Sequence, residues 1–168
     1  LIFKKMKTIY DIFKELDIAY NLYDHPPFYT CDESEKWYDQ NIDEKSGESK
    51  NIFLRNKEGN NHFLVVIESK KRLDLKILAT RLGEKKLSFA SEERLKKYLN
   101  LTPGAVSIFA LIHENAKDIE VIFDDDLLKH KKLHYHPPAR NDQTIILSAD
   151  DVKKFIEWVG NPIKFMTL

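Results

Sequence analysis

The sequence predicts an α+β fold, a mixed sheet carrying helices, and three observations predict it. The chain has 168 residues at 42% hydrophobic, enough for one sizeable core and too little for two. "NIFLRN" and "HFLVVIES" flank the turn "KEGNN" in the clearest hairpin pattern of the chain, so neighbouring strands pair locally. Helical patterns fall between strands without strict alternation, which argues against a doubly wound parallel sheet. There is no internal repeat, low-complexity segment or linker. The domain is expected to span residues 6–168, with Met6 as a natural start and Leu1 to Lys5 upstream of it.

The elements follow in order. Ile9, Ile12, Phe13 and Leu16 recur at helical spacing, predicting an amphipathic helix from Met6 to Leu16. Ile18 to His25 alternates as a strand and stops at Pro26-Pro27, which cannot donate to a ladder. Thr30 and Glu33 have the form of a capping box opening a short helix through Trp37 and Tyr38, and Asp39 to Ser49 is expected to be a mobile loop. In the hairpin turn, Gly59 and Asn60 are available for positive φ. Leu73 to Gly83 is a helix, "KLSFA" a short strand, and Ser91 caps "EERLKKYLN". The Pro103-Gly104 turn leads into an expected buried strand, Ala105 to Ile112, with "DIEVIFD" as its partner. "DDLLKH" is one helical turn, and "KLHYHPP" and "TIILS" are strands. The last helix is capped by Ser148 and Asp151 and ends at Gly160.

Charge and cysteine content bound the chemistry. Lys+Arg 27 against Asp+Glu 27 leaves a net charge of +0, so no global field favours a nucleic acid. A local basic run, Lys70, Lys71, Arg72, Lys76, Arg81, Lys85 and Lys86, is opposed only by Asp74 and Glu84, and reads first as a solvated helix face and only second as a nucleic-acid contact. Cys31 is the only cysteine, so intrachain disulfides and thiolate-rich zinc sites are excluded, as suits a reducing, cytoplasmic setting. No apolar run is long enough to cross a bilayer.

Three segments could carry chemistry. Lys50 stands at a strand start, where the sheet could hold an ammonium against a developing oxyanion; a solvent lysine after a loop fits the same pattern. Gly104 would let a ligand approach the main chain closely; an ordinary turn before a core strand explains it equally well. His134 and His136 alternate on a strand with His130 nearby, a spacing that can bind metal, but no carboxylate occupies a third ligand position. The chain has no Gly-rich phosphate loop and no nucleophile elbow.

Taken in order, "YDHPPFYT", "SKNIFLRNKEGNNHFLVV", "LTPGAVSIFAL" and "HYHPPARNDQTIILSADDVKKFIEWVG" resemble the YbaK/prolyl-tRNA synthetase-associated editing-domain family, and most of all its free-standing alanine-specific ProXp-ala (PrdX) branch. The resemblance covers nearly the whole chain and implies a mostly antiparallel curved sheet or barrel flanked by helices. It implies that Lys50 and Asn51 match a catalytic "KNLFL" strand start, with Asn51 orienting the lysine or the terminal ribose. Gly104, Ala105, Val106 and Ser107 match a loop binding the aminoacyl group through its main chain, although Ile108 stands where the family usually has proline. His136, Asn141 and Thr144 fit a pocket-lining "HPxxN...T" segment with one extra residue.

The implied activity is hydrolysis, without metal or cofactor, of the ester joining a wrong amino acid, alanine above all, to proline tRNA. Mischarged tRNA(Pro) is then the substrate and prolyl-tRNA synthetase a candidate partner, with Lys70, Lys71, Arg72 and Lys76 as candidate tRNA contacts. Cysteinyl-tRNA(Pro) deacylation, a non-catalytic tRNA- or synthetase-binding module and a histidine metalloprotein are the competing readings.

Overall fold

The computed structural model describes residues 7–43 and 45–168; Leu1 to Met6, where the natural start is expected, lie outside the described residues. Helix α1 (Ile9–Glu15) opens on Thr8, whose hydroxyl accepts from Asp11 N while the Asp11 carboxylate accepts from Thr8 N, a reciprocal cap satisfying two otherwise orphaned donors. It buries Ile9, Ile12 and Phe13, the stripe its spacing predicts. Strand β1 (Tyr20–Asp24) follows. Helix α2 (Cys31–Asn41) begins with the expected capping box between Thr30 and Glu33.

The region expected to be a loop, Asp39 to Ser49, is partly ordered structure: α2 runs on to Asn41 and β2 (Gly47–Asn56) starts early. The reason is distant in sequence, because Gly47 and Glu48 pair in parallel with Leu133 and His134 of β6 (Lys132–Tyr135). The rest of β2 pairs antiparallel with β3 (His62–Glu68) in the predicted hairpin, Asn51 opposite Val66. In its turn only Gly59 has positive φ, +74°; Asn60 does not, since the Asn56 side-chain oxygen gathers the backbone N–H groups of Gly59, Asn60 and Asn61 and stabilises the turn itself.

Helix α3 (Leu75–Leu82) is capped by Asp74 and ends on left-handed Gly83. Strand β4 (Leu87–Phe89) adds to β2. Helix α4 (Glu92–Arg94), capped by Ser91, widens into a π turn over Leu95–Leu99. The buried strand expected over Ala105 to Ile112 is instead a 3-10 helix, Ile108–Ile112. A short, wholly apolar run has no period to separate the two; here Ser107 Oγ caps the Phe109 N–H and selects the helix. Strand β5 (Glu120–Asp124) therefore pairs with β3 and with β8 (Ile163–Met166), a strand the sequence pattern did not suggest. A 3-10 turn over Asp125–Lys129 precedes β6, and β7 (Gln143–Ser148) joins β6 to β1 before α5 (Ala149–Val159), which ends at Gly160 as predicted.

The result is a mixed α+β domain with the eight-stranded order β1-β7-β6-β2-β3-β5-β8, β4 branching from β2. Strand β2 is the hinge of this curved sheet, pairing with β6 at its start and with β3 and β4 beyond. One face packs on Phe13, Phe109 and Phe155, whose rings meet edge to face at 5.0 to 6.4 Å; the other packs Leu54, Val65 and Ile67 under Leu78 of α3. Burial on both faces makes β2 rigid, and each side chain at its start is aimed by the pleat.

Candidate active site

Successive β2 residues point to opposite faces, with Phe53 in one core cluster and Ile52 against the other. Lys50 therefore shares its face with Glu48, and Asn51 with Ser49. Asn51 cannot orient the lysine as the resemblance implied, because the unbroken register from Ser49 to Arg55 leaves no bulge to turn it. Its side-chain oxygen is buried with no hydrogen-bond partner among the described residues.

Lys50 is half-buried, and its ammonium donates to the carbonyl oxygens of Ser69, at 2.9 Å, and Lys71. An ammonium has three donors, so two are spent on fixing it and one remains. Both acceptors are neutral, and among the described residues no carboxylate forms an ion pair with the ammonium. Ser69 also reaches Glu48: its hydroxyl donates to Oε2 at 3.3 Å, while Ser34 donates to Oε1 at 2.7 Å. Burial pushes the Glu48 carboxyl up, but its neighbours His134, Ser34 and Ser69 outweigh that and hold it below the usual carboxylate range.

Glu48, Ser69 and His134 line a cavity of about 820 Å³ between α2, the start of β2 and the turn before β6, within the size range of small-ligand sites. Gly47 belongs to its wall: a Cβ there would lie 2.5 Å from the His130 ring, so the close approach of β2 to that ring requires glycine.

A second group lies against this one. His25 Nδ1 bonds to the Pro26 carbonyl at 2.8 Å and Nε2 to Thr144 Oγ1 at 2.9 Å; Tyr38 OH is 2.6 Å from the same Thr144 oxygen. A carbonyl only accepts, so His25 Nδ1 carries the proton, Thr144 donates to Nε2, and Tyr38 donates to Thr144. Burial, partly offset by the Thr144 hydrogen bond, pushes the Tyr38 hydroxyl up to about 12, so it remains a donor. His136 Nδ1 is bound the same way to the Gln143 carbonyl at 2.9 Å, leaving a lone pair on Nε2. Burial lowers its pKa, so the ring is neutral at neutral pH.

The predicted residues thus fall into two groups joined by Tyr38, which bonds Thr144 and packs on the His134 ring at 4.4 Å. Ser107 is fully buried and donates to the His136 carbonyl at 2.6 Å, tying the Gly104 loop to the histidine segment. Asn141 donates to the Phe28 carbonyl at 3.5 Å. Gly104 takes φ +86° with open space around it, Ala105 is buried and Val106 is half-buried beside the core; among the described residues no hydrogen bond links this loop to Lys50. The three histidines of the metal reading diverge, His130 to Glu68, His134 to Ser46 and His136 to Gln143.

Of the basic run, Arg72 and Lys76 are exposed, and Lys70 is exposed in an ion pair with Glu35. Lys71 turns inward onto Asp124 and Asp126 at 2.8 and 2.5 Å, because the fully buried Asp124 carboxylate requires a cation; it is not available to a nucleic acid.

Sequence reasoning missed His25, Tyr38, Glu48 and Ser69. One signal was present: His-Pro-Pro occurs twice, at 25–27 and 136–138, and the two histidine rings lie 5.8 Å apart.

Residues 25–155 match the model of the aminoacyl-tRNA editing domain. The chain belongs to that family. Its class is accordingly that of an aminoacyl-tRNA ester hydrolase. The prolyl-tRNA editing protein ProX of Acetoanaerobium sticklandii is 42% identical, over 92% of each chain. Prolyl-tRNA synthetase associated domain-containing protein 1 of Bos taurus is 29% identical, over 87% of this chain and 85% of its own. Among solved structures, the hypothetical protein APE2540 superposes with a TM-score of 0.71 at 19% identity, over 94% of this chain and 97% of its own, a likeness of fold. No helix among the described residues is long and apolar enough to cross a membrane.

Proposed function

We propose that the protein is a cytoplasmic trans-editing deacylase that hydrolyses alanyl-tRNA(Pro). The observation that carries the reading is Lys50: an ammonium clamped by two neutral carbonyls, with one donor remaining, and tied through one of them to Ser69, which lines a substrate-sized cavity. Water attacks the ester carbonyl carbon, the carbonyl oxygen becomes an oxyanion, and Lys50 stabilises that charge. The bond to the ribose oxygen then breaks and the leaving hydroxyl recovers a proton. His136, beside His25 and tied to the Gly104 loop through Ser107, supplies a neutral Nε2, and that loop borders the aminoacyl group. The likeness to ProX, a prolyl-tRNA editing protein, supports tRNA(Pro) as the carrier.

Editing of this kind is physically required, because a synthetase pocket built for a larger amino acid rejects a smaller one only weakly, so a second site must destroy the product. Alanine fits the reading; proline, larger and cyclic, is the product to be spared.

The test compares hydrolysis of alanyl-, prolyl- and cysteinyl-tRNA(Pro) by the wild-type protein and by Lys50→Ala. Loss of the alanyl ester alone, abolished by Lys50→Ala, supports the proposal. Loss of the cysteinyl ester instead reassigns the substrate, and binding with no turnover of any ester replaces the deacylase with a binding module.

A further inference from the structure

We infer that Glu48 and His134 form a subsite for the α-ammonium of the aminoacyl group, so that the pocket selects esters of free α-amino acids. The inference rests on the deacylase reading and adds a binding residue two positions from Lys50.

The geometry begins with His134. The residue is only 6% exposed, its Nδ1 lies 2.7 Å from Ser46 Oγ, and its Nε2 is buried with no hydrogen-bond partner among the described residues. That nitrogen is 4.0 Å from Glu48 Oε1, too far for a hydrogen bond, and both residues line the cavity. A buried unpartnered nitrogen is costly, so the pair is built to be completed by a third group. The ring can face Glu48 as a donor from Nε2; when the Nδ1 proton is instead directed at Ser46, Nε2 and Oε1 are two acceptors facing one space, and an entering ammonium selects that tautomer. An atom placed about 2.9 Å from each would see them at roughly 90°, near the angle between two N–H bonds of an ammonium. A carboxylate and a neutral imidazole nitrogen both accept, and a primary ammonium donates three times.

The spacing to Lys50 fits the same ligand. Residues two apart on a strand face project about 7 Å apart. In an α-amino ester the ammonium nitrogen and the carbonyl oxygen are held about 3 Å apart, and one hydrogen bond at each end extends the reach to about 8 Å. Ser69 sits between the two, its carbonyl on Lys50 and its hydroxyl on Glu48. Glu48 is recessed, while at the mouth the exposed Lys45, Lys70, Lys129 and Lys131 stand beside the exposed Asp39 and Asp43, so the mouth carries both signs and the recessed carboxylate is what distinguishes the ammonium end.

The experiment measures binding of 3′-deoxy-3′-(alanylamino)adenosine, which cannot be hydrolysed as an ester, and of its lactyl counterpart, in which a hydroxyl replaces the ammonium. Titration calorimetry is run on the wild-type protein and on Glu48→Gln, beside hydrolysis of alanyl-tRNA(Pro). The wild-type protein is expected to prefer the alanyl ligand by roughly tenfold to hundredfold, and Glu48→Gln to bring the two near parity. Equal wild-type affinities, a preference that survives Glu48→Gln, or no binding of either ligand overturns the subsite. Hydrolysis without the preference removes the inference and leaves the deacylase; the preference without hydrolysis does the reverse.

Discussion

Two lysines converge on one turn and do different work. Lys50 and Lys71 are linked directly, since the Lys50 ammonium donates to the Lys71 carbonyl, yet Lys71 pairs with the carboxylates of Asp124 and Asp126 while Lys50 meets only carbonyls. A cation among carboxylates is neutralised, and what it contributes is stability. A cation held by neutral dipoles is positioned without being neutralised, and its charge remains to act on a ligand. The difference lies in the acceptors, which no inspection of a lysine in sequence reveals.

The comparison breaks most sharply under substitution of each lysine by methionine, which keeps the stem and removes the charge. Lys50→Met is expected to lower kcat/KM for the alanyl ester by about 10²–10³-fold, the usual effect of deleting one oxyanion donor, while thermal stability changes little. Equal losses of activity and of melting temperature would show Lys50 to be structural. Lys71→Met strands the buried Asp124 charge and is expected to cost about 3 kcal/mol of unfolding free energy, read by urea denaturation. The reverse pattern, a stable Lys71→Met protein with no activity, would make Lys71 the functional cation.

The sequence carried much of the frame. The capping box at Thr30, the Ser148 cap, the hairpin about Gly59 and the stops at Gly83 and Gly160 are local codes, and each appears where its residues predict it. What failed was non-local. Strand β2 reaches back to Gly47 only because β6 lies beside it, and β8 exists only because β5 offers an edge. In the candidate site, the assignment of Lys50 and His136 came only from the resemblance. Glu48 was not legible, because its chemistry depends on Ser34, Ser69 and His134, which a linear reading keeps apart.

A buried histidine sharpens the comparison from the side of pH. His62 Nε2 accepts from Arg94 at 2.7 Å, and burial, followed by the charges of Arg94, Lys97 and Arg55, lowers its pKa to about 4. Its folded pKa lies below the ordinary value near 6.5, so the unfolded chain binds the proton first as pH falls. Stability is expected to be retained above pH 6.5 and to decline from there toward pH 4; His62→Gln should flatten that slope in melting temperatures taken across the range. An unchanged slope would assign the acid sensitivity to other groups, His136 among them, since burial lowers its pKa from the same ordinary value.

The smallest effect is expected at the outward lysines, and it tests whether the basic run serves a nucleic acid once Lys71 is subtracted. Lys76 is exposed on α3 near exposed Arg72, and neither carries a buried partner of the kind that holds Lys71. If the pair contacts tRNA phosphates, each removal releases about one fewer counterion, so the slope of log affinity against log salt should fall by about 1 in Lys76→Ala and by about 2 in the double variant with Arg72→Ala. Hydrolysis of a short aminoacylated fragment ending in the terminal adenosine should not change, since it cannot span to α3. An unaltered salt slope would make this run a solvated helix face. The tRNA contacts would then belong to the lysines at the cavity mouth, where Lys70 is already occupied by Glu35 and would have to exchange a carboxylate for a phosphate.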